Sequence, residues 1–150
     1  MWHSLIIAVL CYVGLVTVSF SQERDFGLGA ILGEPTGISA KRWVSQREAI
    51  DAGVAWSLRH EGYLHVHADY LWHFGNLLRT RQEVLPYVGA GGIILGRKHS
   101  TGAGIRLAGG ITWQPVDTRI DVFMEVAPVF YLLPATEWGV SGGIGSRFYF

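Results

Sequence analysis

The sequence predicts an all-β fold: an eight-stranded antiparallel transmembrane β-barrel preceded by a signal peptide. Three observations carry that expectation. Apolar residues alternate with small or polar ones along most of the chain after residue 21, a period of two that belongs to strands rather than helices. Charged residues make up only 16% of the chain, aromatics reach 13%, and glycine fills 20 of 150 positions. Turn signals such as "EPTG", "RHEG", "PVDT" and "LPATE" separate the extended segments.

The first element is the apolar run Leu5 to Phe20, "LIIAVLCYVGLVTVSF", with small residues Ser19 and Ser21 at cleavage-site spacing. It is short for a spanning helix, which needs roughly 20 residues. It reads as a secretory signal peptide over 1–21, leaving a barrel domain over 22–150. Residues 1–4 carry no Lys or Arg, so an uncleaved anchor is the alternative. Cys11 lies inside this run behind Leu10, a poor lipoprotein signal, and cleavage removes the only cysteine. The mature chain then has no disulfide or thiol chemistry.

Eight strands are expected in order, at about 26–33, 37–44, 48–58, 63–74, 84–96, 104–114, 119–132 and 137–150. The fourth, "YLHVHADYLWHF", alternates most strictly: Leu64, Val66, Ala68, Tyr70, Trp72 and Phe74 share one face. The third presents Ile50, Ala52, Val54, Trp56 and Leu58; the sixth, Ile105, Leu107, Ile111 and Trp113. The seventh presents Ile120 through Leu132 at every second residue, and the eighth Trp138, Val140, Ile144, Phe148 and Phe150. The first, second and fifth strands leave the facing of their residues open.

Such alternation fits a soluble barrel with an apolar inside or a membrane barrel with an apolar outside. The polar face decides between them. A solvated exterior is rich in Lys and Glu, yet Lys occurs only at positions 41 and 98. Here that face is Gly, Ala, Ser and Thr with scattered Arg, Asp and His, which suits a narrow interior. The aromatics form two girdles, Trp56, Phe130 and Trp138 toward one end and Trp72, Phe74, Trp113, Phe148 and Phe150 toward the other. The apolar face therefore meets lipid. Twelve basic residues balance twelve acidic ones, so no global field recruits nucleic acid.

The stretches "FGLGAILGEPTGISAKRW", "LHVHADYLWH", "LPYVGAGG", "DVFMEVAPVFYLLPAT" and "GGIGSRFYF" resemble a small outer-membrane β-barrel family known mainly from spirochaetes. That family is similar in architecture to OmpA/OmpX-type eight-stranded barrels. The resemblance spans Phe26 to Phe150 and implies the cell outer membrane of a diderm bacterium, with no catalytic residues to carry over.

Asp51, His65, His67, Asp69, Arg106, Arg119, Asp121, Glu125 and Arg147 are expected to face the lumen. Buried charge is costly unless paired, so a paired network filling the lumen is the leading expectation and a narrow conducting path the alternative. His65, His67 and Asp69 form an H-x-H-x-D row, a weak candidate for a metal because no second strand offers an obvious further His. No cofactor is expected. "GAGG" and "GGIG" lack the following Lys-Ser/Thr of a phosphate loop. Adjacent His99 and Ser100 do not make a catalytic triad, and no G-x-S-x-G elbow is present, so no enzyme activity is expected.

A structural or surface-interaction role follows, with short external loops. Arg97, Lys98 and His99 form a compact basic tip, the candidate ligand-binding loop toward a host or environmental ligand. The terminal alternation ending in Phe148 and Phe150 resembles the signal read by the barrel-assembly machinery. The expected partners are that machinery and outer-membrane lipid.

Overall fold

The computed structural model describes residues 25–57, 62–75, 83–115 and 117–150. The expected signal peptide, 1–21, lies outside the described residues. Eight strands follow one another: β1 (Phe26–Glu34), β2 (Thr36–Trp43), β3 (Glu48–Ser57), β4 (Tyr63–His73), β5 (Glu83–Gly96), β6 (Thr101–Gln114), β7 (Ile120–Leu133) and β8 (Glu137–Tyr149). Each pairs antiparallel with its sequence neighbours, and β8 returns to β1, so the sheet closes as a barrel.

The closing seam runs in register from Gly27 opposite Tyr149 to Glu34 opposite Gly142. It is fastened at the end where the chain enters and leaves. The Phe150 amide donates to the Phe26 carbonyl at 2.9 Å, and the two rings stack with centroids 6.5 Å apart. Closure leaves no strand edge, which is how a sheet satisfies its backbone in a medium that cannot hydrogen-bond.

Alternation sets the two faces. Leu28, Ile50, Val54, Leu64, Val88, Ile105, Met124 and Ile144 all project outward and are exposed, although each is apolar. Inside lie Asp51, Arg106, Asp121 and Arg147, among the most buried side chains of the molecule. This inversion of the usual soluble pattern is the signature of a lipid-facing barrel. Trp72, Phe74, Trp113, Phe148 and Phe150 ring the rim that carries the chain ends, and Trp56, Phe130 and Trp138 the opposite one, all exposed. The 14-residue strands β5, β6 and β7 are each about 46 Å long at roughly 3.3 Å per residue. With a tilt near 45°, a strand of that length crosses a hydrocarbon core of about 30 Å.

Most boundaries lie within a residue of the expectation, and the largest difference is at β6. β6 begins at Thr101 rather than near residue 104, because Thr101, Gly102 and Ala103 continue the ladder opposite Gly96, Leu95 and Ile94. The loop after β5 is thereby cut to Arg97–Ser100, closed by the Arg97 amide donating to the Ser100 carbonyl at 2.9 Å. The inward face of β5 also carries Ile93 and Leu95, so apolar residues flank both sides of that strand. This is why its facing stayed open in the sequence.

Loss of the seam is the direct test of closure. The refolded chain should migrate on gels differently unboiled and boiled, since closed barrels resist detergent unfolding. Deleting Phe148–Phe150 removes the partners of Leu28 and Gly27 and the Phe26 fastening. The truncated chain should lose the unboiled form. Its retention would show that β8 does not close the barrel.

Candidate functional site

The inward faces of the strands place Asp51, His65, His67, Asp69, Arg106, Asp121, Glu125 and Arg147 in the lumen, all but His67 nearly sealed from solvent. They gather around two guanidinium groups. Arg106 on β6 donates from one nitrogen to Asp69 on β4 and from another to Glu125 on β7. The Tyr87 hydroxyl on β5 donates to the second Glu125 oxygen at 2.7 Å. Glu125 is thus shared between a cation and a phenol from two other strands.

Arg147 on β8 makes the second cluster. Its Nε donates to both Asp121 oxygens at 3.1 and 3.2 Å, and its Nη1 reaches Asp51 Oδ2 and Ser39 Oγ, each at 3.5 Å. The Tyr149 hydroxyl donates to Asp121 at 2.7 Å, and the Phe123 ring lies 3.9 Å from the guanidinium carbon. A planar fork with several donors suits this work, because one group can serve carboxylates on separate strands and stack on a ring.

His67 joins the two clusters. Its Nε2 lies 3.5 Å from Asp51 Oδ1 and 4.0 Å from Asp69 Oδ2. Glycines make the space: a Cβ at Gly53 would run into the His67 ring, and one at Gly91 into the Asp69 carboxylate and the Ala68 carbonyl. Toward the rim of the chain ends, a third polar group stands apart. Lys41 donates to His73 Nε2 at 2.7 Å, while His73 Nδ1 lies 3.2 Å from the Arg47 carbonyl. An Nδ1–H donating to that carbonyl leaves Nε2 free to accept from the ammonium. The Lys41 nitrogen also sits 4.3 Å from the centre of the Trp43 ring. At the opposite rim Ser57 and Tyr63 both donate to Glu34.

One expected lumen residue is placed elsewhere. Arg119 is exposed, in the turn before β7, with its carbonyl accepting from the Tyr149 amide at 2.7 Å. β7 starts at Ile120, so the alternation that aims Asp121 inward does not extend back to Arg119. The H-x-H-x-D row is also divided. His67 and Asp69 are brought together with Asp51, their donor atoms within 4.8 Å of one another, and His65 is not part of that group. Arg97, Lys98 and His99 are exposed at the tip of the β5–β6 hairpin. Phe148 and Phe150 face outward at the rim.

Alternation and composition do not assign Lys41, Ser39, Tyr87 or Tyr149 to the lumen. Lys41 and Arg42 are adjacent, so one must point in and the other out, and β2 offered too weak an alternation to choose. The tyrosines carry a phenol at the end of an apolar ring, and composition alone does not distinguish a girdle tyrosine from one inside.

No protein-family profile matches this chain, and no curated protein matches it in sequence. Solved structures do match in shape. The N-terminal β-barrel domain of Pseudomonas aeruginosa OprF aligns with a TM-score of 0.65 at 16% identity, over 87% of this chain and all (100%) of that one. A de novo designed transmembrane β-barrel aligns at 0.55 and 14% identity, over 87% of this chain and 98% of that one. Ail, the attachment invasion locus protein of Yersinia pestis, gives 0.41 at 7% identity, over 84% and 94% of the two chains. The fold shared with the first two is that of an eight-stranded transmembrane barrel.

Proposed function

We propose that this chain is an integral outer-membrane barrel with a structural or surface-interaction role, its lumen closed by paired polar side chains. The single observation behind this reading is that each buried arginine, besides pairing with an acid on an adjacent strand, also reaches an acid on a strand that is not its neighbour. Arg147 on β8 reaches Asp51 on β3, two strands beyond its neighbour β1, and Arg106 on β6 reaches across β5 to Asp69 on β4. Eight strands enclose a space just wide enough for side chains, and these struts occupy it. Tyr87, Leu71, Ala108 and Ala127 pack as a buried cluster within the same interior.

The outer-membrane location rests on the apolar exterior, the two aromatic girdles and the closed sheet. Export through the signal peptide over 1–21 and delivery by the assembly machinery through Phe148 and Phe150 belong to this proposal. So does kinship with the small spirochaete barrel family that the sequence resembles. A surface-binding role through Arg97, Lys98 and His99 is favoured by one observation: all three are exposed on a single tight turn at the rim away from the chain ends.

Conductance separates a closed lumen from a narrow channel. The refolded wild-type barrel should carry no steady current in a planar bilayer, whereas Arg106→Ala should admit ions through the gap it leaves. Steady current through the wild type would establish the channel instead. The same variant tests the energetics. Removing Arg106, or Glu125 by Glu125→Ala, strands a buried charge, which typically costs about 3–5 kcal/mol. Equilibrium unfolding in urea, followed by tryptophan fluorescence, should report a loss of that size. A loss below about 1 kcal/mol would show the pairs to be dispensable.

A further inference from the structure

We propose that Asp51, His67 and Asp69 form a binding site for one divalent transition-metal ion inside the barrel. The starting point is a cross-strand pairing that is unfavourable by itself. Asp51 on β3 and Asp69 on β4 are direct partners in the ladder, both aimed into the lumen. Like charges directly opposite each other on one face repel, and here neither faces bulk water.

The arginines take one oxygen of each aspartate. Arg147 takes Asp51 Oδ2, and Arg106 takes Asp69 Oδ2. Asp51 Oδ1 and Asp69 Oδ1 are buried and have no hydrogen-bond partner, although the residues that carry them are 3% and 2% exposed. Among the described residues, the buried carboxylates Asp51, Asp69, Asp121 and Glu125 outnumber the buried cations Lys41, Arg106 and Arg147 by four to three. The unmatched negative charge has a place in the structure, where Asp51 Oδ1 and Asp69 Oδ2 lie 3.5 and 4.0 Å from His67 Nε2.

His67 completes a donor set. It follows the pairing of Gly53 with His67, two positions along the same face, and Gly53 supplies the room its ring occupies. The donor atoms of the three residues lie within 4.8 Å of one another. A metal about 2.1 Å from each ligand needs donors roughly 3.4 Å apart in a tetrahedral arrangement. The His67–Asp51 separation of 3.5 Å already meets that spacing. Asp69 Oδ2, 4.0 Å from His67 Nε2, reaches it by a small side-chain shift.

One imidazole with two carboxylates selects the class of ion. Mg²⁺ and Ca²⁺ prefer all-oxygen shells of six or more ligands, whereas Zn²⁺, Co²⁺ and Mn²⁺ accept mixed nitrogen and oxygen at lower coordination. Three protein donors leave a tetrahedral ion one further position. The His67 side chain, 12% exposed against 4% and 0% for the two aspartates, is the side from which an ion gains access. Arg147 holds the second oxygen of Asp51, as a group behind a metal ligand does, and Arg106 steadies the Asp69 carboxylate.

Co²⁺ is the probe, because its visible absorption reports coordination directly. Metal-free barrel refolded in detergent micelles should bind one Co²⁺ per chain, with d–d bands of a low-coordinate site, and Zn²⁺ should displace it while Ca²⁺ does not. His67→Gln and Asp51→Asn should each weaken binding more than about 100-fold, beyond what loss of a supporting group causes. His65→Gln should leave it unchanged. The gel shift between unboiled and boiled samples shows that each variant is folded. Absence of stoichiometric Co²⁺ binding by the folded wild type, equal binding by folded His67→Gln, or loss of binding in His65→Gln would overturn the site.

Discussion

Closure of the hydrogen-bonded sheet is the constraint on which the rest of the molecule depends. In a hydrocarbon medium each unpaired N–H or C=O costs several kcal/mol. An open sheet of this composition would leave both its edges in that state. The β1–β8 ladder and the Phe150–Phe26 fastening remove them. Only with the backbone satisfied can the whole outer face be given to Leu, Ile, Val, Phe and Trp. The aromatic rims then hold the barrel at the two interfaces.

Closure at eight strands dictates the interior. The enclosed space admits side chains but little else, so a charge placed there must find its partner among the inward residues of other strands. Arg106 and Arg147 meet this requirement with forks that reach several acceptors at once. Glycine at positions 53 and 91 keeps the wall from colliding with His67 and Asp69. Replacing such pairs by apolar packing is often neutral or stabilising elsewhere, so their contribution here is better seen in register. A slip of one residue in β7 or β8 would turn Asp121 and Arg147 toward lipid, an error that the network makes prohibitive.

The two sides of the β3–β4 pair show how closely satisfied and unsatisfied groups sit in this interior. One oxygen of each aspartate lies against an arginine; the other Asp51 oxygen faces His67, and the other Asp69 oxygen lies against Gly91. Lys41 and His73 form a separate pair nearer the rim, screened by Trp43 and Tyr87. The polar interior is therefore a set of linked but distinct groups, each drawn from at least two strands.

The sequence by itself determined the barrel: the strand count, the antiparallel order, the lipid-facing residues of β3, β4, β6, β7 and β8, and most of the inward acids and bases on them. Period-two alternation is a local property of the chain, and a one-sided environment writes it into every strand it touches. Where both sides of a strand are apolar or glycine-rich, as in β5, or where two cations are adjacent, as at Lys41 and Arg42, that local signal is silent. The strand boundary before β7 was equally invisible, so Arg119 was expected inside and lies in an exposed turn. Only the tertiary structure decided which inward groups meet. Partners such as Arg147 and Asp51 stand 96 residues apart in the chain. Their contact follows from barrel curvature and from the stagger between strands, and neither is encoded in the neighbours of either residue.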